Sequence, residues 1–85
     1  MKYIQVLIEN TTVTVFIQKI DCVITVIFEK INDKPKSRKT RFLEIQFLGM
    51  LNSRNFLELS LLTSEINPEN FRSISQRLAI LQNNL

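Results

Sequence analysis

Over its first two-thirds, the chain alternates between hydrophobic and polar residues with a period of two. Such alternation is typical of strands that bury one face, because successive side chains point to opposite sides of a strand. It predicts strands at residues 3–9, 12–18, 22–29, 41–48 and 56–62. The connections are too short for the crossovers that parallel strands need, so we expect an antiparallel meander.

The last part of the chain changes to a helical period. Hydrophobic residues recur there at spacings of three and four: Phe71, Ile74, Leu78, Leu81 and Leu85. That spacing places them on one stripe of an α-helix. Asn67 is a favourable N-cap and Pro68 a favourable first residue, so a helix is predicted at about 68–83. The predicted fold class is α+β: one domain, residues 1–85, with one amphipathic helix packed on a five-stranded meander.

Sorting the strand residues by parity predicts two different faces of the sheet. Face A is entirely hydrophobic and is the predicted core: Ile4, Val6, Ile8, Val13, Val15, Ile17, Ile24, Val26, Phe28, Leu43, Ile45, Phe47, Leu57, Leu59 and Leu61. Cys22 has the same parity and is expected to be buried, as a small hydrophobic side chain.

Face B mixes hydrophobic residues with amides, hydroxyls and four glutamates: Glu9, Glu29, Glu44 and Glu58. Four of the seven aromatic residues fall on it, and they are the predicted protein interface: Tyr3, Phe16, Phe42 and Phe56. An exposed hydrophobic patch usually marks a contact site. The alternative is a curled sheet that closes on itself. A β-bulge would exchange the two faces of a strand.

Positive charge is concentrated in one segment. Residues 30–41 contain six basic residues and one acidic residue, whereas the rest of the chain contains five and seven. The net charge of +3 is therefore a local feature. The segment spans the predicted basic loop 30–40, and its candidate anion-binding residues are Lys30, Lys34, Lys36, Arg38, Lys39 and Arg41. Such a loop either contacts phosphates or keeps a hydrophobic protein in solution.

Nothing in the sequence indicates catalysis. There is no histidine, which removes the commonest general base and metal ligand, and there is no glycine-rich phosphate motif. We therefore expect no enzyme activity, no cofactor and no metal. One cysteine cannot form an intramolecular disulfide, the first residues lack the pattern of a signal peptide, and no apolar run approaches the length of a membrane span. The expected compartment is the cytoplasm.

The order of a meander followed by a helix resembles that of the Pur-type and Whirly-type single-strand-binding domains. The resemblance is one of topology. Sheets that bind single strands combine aromatic residues with positive charge. Face B is expected to carry glutamates and no lysine or arginine, which counts against nucleic acid as the main ligand.

These patterns favour a non-catalytic protein-interaction or assembly module. The expected partner is another protein or a second copy of the chain, as a homodimer formed through the aromatic face B. The alternative is a small nucleic-acid-binding protein that contacts phosphates through the basic 30–41 segment. A carrier with a ligand pocket between helix and sheet has no convergent polar residues to support it.

Overall fold

The computed structural model describes residues 2–32 and 38–85, and it shows a four-stranded antiparallel sheet with two helices on one face. The elements in chain order are β1 (Lys2–Ile8), β2 (Thr11–Ile20), β3 (Val23–Asn32), β4 (Lys39–Leu48), α1 (Ser53–Ser60) and α2 (Pro68–Gln82). The strands lie in the order β1-β2-β3-β4. The predicted α+β class, the meander and the C-terminal helix are confirmed, with four strands instead of five.

The segment predicted as a fifth strand, residues 56–62, belongs to α1 and the turn that follows it. Phe56 and Leu59 are both 2% exposed. They lie three residues apart, which places them on one face of a helix. Alternation with Leu59 predicts that Leu57 and Leu61 also lie in the core. Both are exposed. The prediction of a strand at residues 56–62 is wrong, because the buried residues Phe56 and Leu59 follow the helical spacing of three and not the strand period of two.

Both helices begin at an asparagine that caps the first turn. The side-chain oxygens of Asn52 and Asn67 each accept a hydrogen bond, at 2.9 Å, from the backbone N–H three residues later. Pro68 is the first residue of α2, and Glu69 places a negative charge in its first turn. Among the described residues, no helix is long and apolar enough to cross a membrane.

The core lies between the helices and the side of the sheet that faces them, called here the inner face. The strands contribute Val13, Val15, Ile17, Ile24, Val26 and Phe28. The helices and their connections contribute Leu51, Phe56, Leu59, Ile66, Phe71, Ile74 and Leu78. Hydrophobic residues of the two edge strands are partly buried against this cluster: Ile4, Val6, Ile8, Leu43, Ile45 and Phe47. The face A residues of the four strands therefore lie on the inner face.

A β-bulge in β4 changes which side chains face the helices. The register shifts between Phe28 and Glu29, and Phe42 is the extra residue on β4. The ring of Phe42 lies 6.0 Å from the ring of Phe28 at the margin of the core, so Phe42 is on the inner face and not on the predicted face B. On the N-terminal side of the bulge, the alternation of side chains between the two faces is shifted by one residue from the predicted one. Lys39 and Arg41 therefore lie on the side of the sheet away from the helices, called here the outer face.

Two-residue turns join the first three strands. Glu9 and Asn10 have φ angles of 49° and 64°, as a type I′ hairpin turn requires. Asp21 has a φ of 56°, and Cys22 follows it in the turn before β3. The expected burial of Cys22 is wrong: its side chain is exposed, because the strand begins one residue later and parity does not apply to a turn.

Candidate functional site on the outer face of the sheet

Five rows of side chains cross the outer face. Residues directly opposite each other on antiparallel strands lie side by side. From one end of the sheet to the other, the rows are Ile20–Val23–Leu48, Gln18–Thr25–Gln46, Tyr3–Phe16–Ile27–Glu44, Gln5–Thr14–Glu29–Arg41, and Leu7–Thr12–Ile31–Lys39. Rows rich in hydrophobic side chains thus alternate with polar rows.

An aromatic pair lies in the middle row. The rings of Tyr3 and Phe16 are 5.7 Å apart between centroids and inclined at 45°, a favourable tilted arrangement. Ile27 beside them is only 8% exposed although it faces away from the core. The neighbouring side chains of the outer face itself cover it. Two of the four predicted interface residues, Tyr3 and Phe16, are therefore brought together here.

Large hydrophobic side chains of the outer face remain exposed. Tyr3 is 58% exposed, Leu7 69%, Ile20 61% and Leu48 83%. The uncovered face of an antiparallel sheet is usually polar. Both helices pack on the inner face, so no helix of the described chain covers these side chains. The outer face therefore combines a sheet surface with apolar groups that water solvates poorly.

A small ion-pair network occupies the outer face near the start of β4. The carboxylate of Glu29 lies 3.8 Å from the ammonium of Lys39 and 3.6 Å from the guanidinium of Arg41. Arg41 also lies 3.4 Å from the carboxylate of Glu44. The expectation that this face carries glutamates without cations is wrong, because the bulge brings both cations onto it. The other two glutamates assigned to it lie in the β1–β2 turn and on α1.

The other two predicted interface residues lie elsewhere. Phe56 is in the core on α1 and has no surface to offer a partner. Phe42 is partly buried at the margin of the core. The prediction that Phe42 and Phe56 share face B with Tyr3 and Phe16 is wrong, since it required a fifth strand and an unbroken alternation in β4.

The predicted anion-binding residues are divided between two sides of the sheet. Lys30 forms an ion pair with Glu65, and its ammonium lies 5.6 Å from the ring centroid of Phe42, on the inner side. Lys39 and Arg41 are on the outer face. Arg38 is exposed at the start of the second described segment, and Lys34 and Lys36 lie outside the described residues.

A shallow groove runs between β1 and the C-terminal half of α2. Its lining residues are Ile4, Arg77, Ile80, Leu81 and Asn84. Ile80 is 69% exposed, and it does not belong to the hydrophobic stripe predicted for the helix. The guanidinium of Arg77 donates a hydrogen bond to the backbone carbonyl of Gln5 at 3.4 Å. Sequence periodicity misses this groove, because it depends on where α2 crosses the edge of the sheet.

Within the described ranges, no three acidic or thiol side chains approach closely enough to hold a metal ion. The cysteine lies apart in the β2–β3 turn. No protein-family model, no curated protein and no solved structure matches the chain.

Proposed function

We propose that this chain is a non-catalytic assembly module that binds a second copy of itself through the outer face of its sheet. The observation that supports this is the exposure of Leu7, Ile20 and Leu48 beside the Tyr3–Phe16 pair. Full burial of one such side chain is worth roughly 1.5–3 kcal/mol. A partner that covers the face would gain part of this energy at each exposed side chain, against the entropy cost of association.

The charges of the outer face suit a second copy. Glu29 and Glu44 balance Lys39 and Arg41, so two identical faces do not repel each other through net charge. Cyclic dimers, in which the same patch serves both subunits, are the commonest soluble oligomers. The amides and hydroxyls of the row Gln18–Thr25–Gln46 can donate and accept hydrogen bonds between the apolar rows.

Two supporting points come from the sequence. The absence of histidine removes the usual catalytic base, which agrees with a binding role. We expect the module to work in the cytoplasm, because its single cysteine cannot form an intramolecular disulfide of the kind common in oxidising compartments.

A matched pair of substitutions tests the proposal. Leu48 on the outer face is 83% exposed, and Leu61 after α1 is 85% exposed. Leu48→Glu and Leu61→Glu therefore add the same charge at side chains that are almost equally exposed in the monomer. Light scattering after size exclusion should show that Leu48→Glu weakens association and that Leu61→Glu does not. A wild-type protein that is monomeric, or two variants that associate like wild type, would contradict self-association through this face.

A second candidate function is the binding of single-stranded nucleic acid on the same face. The observation in its favour is the bulge, which places Lys39 and Arg41 on the face that carries Tyr3 and Phe16. Aromatic stacking combined with positive charge is how sheets bind single strands. Glu29 and Glu44 oppose this function, since their two carboxylates balance the two cations.

Three variants test the second candidate. Lys39→Gln and Arg41→Gln should each weaken binding to a single-stranded oligonucleotide and each lower the salt slope by about one. Glu29→Gln should strengthen binding, because it frees Lys39 and leaves Arg41 paired only with Glu44. If the unmodified protein shows no affinity for the oligonucleotide at low salt, this candidate is wrong.

A further inference from the structure

The two edges of the sheet differ in how they are protected from other strands. A free edge presents backbone N–H and C=O groups to any passing strand, and proteins block it with charges, prolines or bulges. β4 has a bulge at Phe42 and carries Lys39, Arg41 and Glu44. β1 has an unbroken register with β2 and no proline, and its one charged residue, Lys2, lies at its first position. The edge at β1 is therefore less protected than the edge at β4.

The hairpin geometry identifies which groups of β1 face outwards. The type I′ turn after Ile8 makes Ile8 and Thr11 a hydrogen-bonded pair, and such pairs alternate along an antiparallel ladder. The backbone groups that point away from β2 are then those of Tyr3, Gln5 and Leu7. The hydrogen bond from Arg77 of α2 to the carbonyl of Gln5 agrees with this, because it reaches that oxygen from outside the ladder. This bond is long, at 3.4 Å, and strand pairing replaces it with a backbone N–H of the second copy.

We propose that β1 is a second interface, which pairs antiparallel with β1 of a second copy of the chain. The two four-stranded sheets then become one continuous sheet. The two-fold axis passes beside Gln5, so that Gln5 lies opposite Gln5 of the second copy. Tyr3 then lies opposite Leu7 of the second copy on the outer side, and Ile4 opposite Val6 of the second copy on the inner side.

This register is self-complementary. It uses all three outward-facing residues of each strand, since Tyr3, Gln5 and Leu7 pair with Leu7, Gln5 and Tyr3 of the second copy. Aromatic and aliphatic side chains meet across strands, which is a favourable cross-strand pairing. The two Gln5 amides can hydrogen-bond to each other, and no like charges are opposed between residues 3 and 7.

The groove beside β1 extends the same interface. Ile4 of β1 and Ile80 of α2 both line it, and Ile80 is 69% exposed. Edge pairing about the two-fold axis places the two α2 helices on the same side of the joined sheet, next to each other. Each Ile80 is then covered by the second copy. The exposed isoleucine and the less protected edge are separate observations that indicate the same side of the molecule.

The edge interface does not rest on the proposed function of the outer face. The two-fold axis is perpendicular to the plane of the joined sheet, so the outer faces of both copies remain free. With the edge alone the chain forms a dimer, and both interfaces together give a closed tetramer if their two-fold axes intersect at right angles. Leu48→Glu tests the outer face and leaves the edge dimer intact.

Two substitutions remove the edge interface by different means. Gln5→Pro deletes an outward-facing N–H and keeps the ladder with β2, a position where an edge strand tolerates proline. Ile80→Glu places a carboxylate in the groove at an exposed site. The control is Leu57→Glu on α1, whose native side chain is 50% exposed and lies outside the groove. Circular dichroism checks that each variant is folded, and if Gln5→Pro is not, Ile80→Glu alone decides.

Light scattering should show that Gln5→Pro and Ile80→Glu each lower the molar mass of the assembly twofold, whereas Leu57→Glu leaves it unchanged. Hydrogen exchange provides a second readout: the amides of Tyr3, Gln5 and Leu7 should exchange slowly in the wild type and faster in Ile80→Glu. A monomeric wild type, or folded edge variants with unchanged mass and exchange, would overturn the proposal. Protection of these amides only after a different protein is added would also overturn it, because the occupant would then not be a second copy.

Discussion

Replacing Phe56 by alanine tests the largest correction to the predicted fold. Phe56 is 2% exposed and belongs to the core cluster beneath the sheet. Truncating a buried phenylalanine removes its transfer free energy and leaves a cavity, at a cost of about 3–5 kcal/mol. A domain of this length is stable by roughly 4–13 kcal/mol. We therefore expect Phe56→Ala to remove a large fraction of the free energy of unfolding.

The neighbouring residue provides the control. Leu57 lies on the same helix but is 50% exposed, so Leu57→Ala should cost less than about 1 kcal/mol. Urea unfolding followed by circular dichroism, at one fixed protein concentration, measures both variants. With a slope of about 1–3 kcal/mol/M, the loss in Phe56→Ala lowers the midpoint by at least about 1 M. Equal midpoints for the two variants would refute the placement of Phe56 in the core.

Three further substitutions or modifications test local features. Phe42→Glu should destabilise the fold by roughly 2 kcal/mol in urea unfolding, because its ring is partly buried against Phe28; a variant that only dissociates would contradict this placement. The thiol of Cys22 should react with an aromatic disulfide as fast in the folded as in the unfolded protein, and strong protection would show that the turn is misplaced. Glu9→Gly should raise the unfolding midpoint by relieving a φ of 49°, a gain of roughly 0.5–1 kcal/mol, and a lower midpoint would contradict the type I′ turn.

Much of the fold could be predicted from local patterns. The alternation in the first four strands reflects one buried face, and the observed strands agree with it to within a few residues at their ends. The predicted helix, residues 68–83, begins at the first residue of α2 and ends one residue beyond it. Its start could be predicted because Asn67 and Pro68 mark it clearly. These features depend on neighbours in the sequence, which periodicity and capping describe well.

Helix α1 could not be identified by alternation. The segment from Phe56 to Leu62 contains hydrophobic residues at spacings of two and of three, and both readings bury Leu59. A helix of eight residues has little stability of its own, so packing on α2 and the sheet selects it. The sequence signal that favours the helix is Asn52, an N-cap four residues before Phe56.

The bulge in β4 decided the composition of the outer face. Parity alone assigns Phe42 to that face and removes Lys39 and Arg41 from it, and one extra residue reverses both assignments. The adjacent apolar pair Phe42–Leu43 does not by itself reveal the bulge, because the pairs Phe16–Ile17 and Phe47–Leu48 lie in regular alternation. Which partner residue the bulge opposes depends on β3 and is not a local property.

We propose that a second copy of the chain buries the outer face of the sheet. Tyr3 is the only tyrosine, the chain has no tryptophan, and its ring lies on that face. Quenching of tyrosine fluorescence by acrylamide therefore reports on this face directly. The measurement is made in Ile80→Glu, which removes any contribution from the edge of β1. We expect quenching to fall as protein concentration rises, over the range in which light scattering shows the molar mass doubling. Quenching that stays constant while the mass doubles, or a mass that never rises above that of the monomer, would contradict the claim.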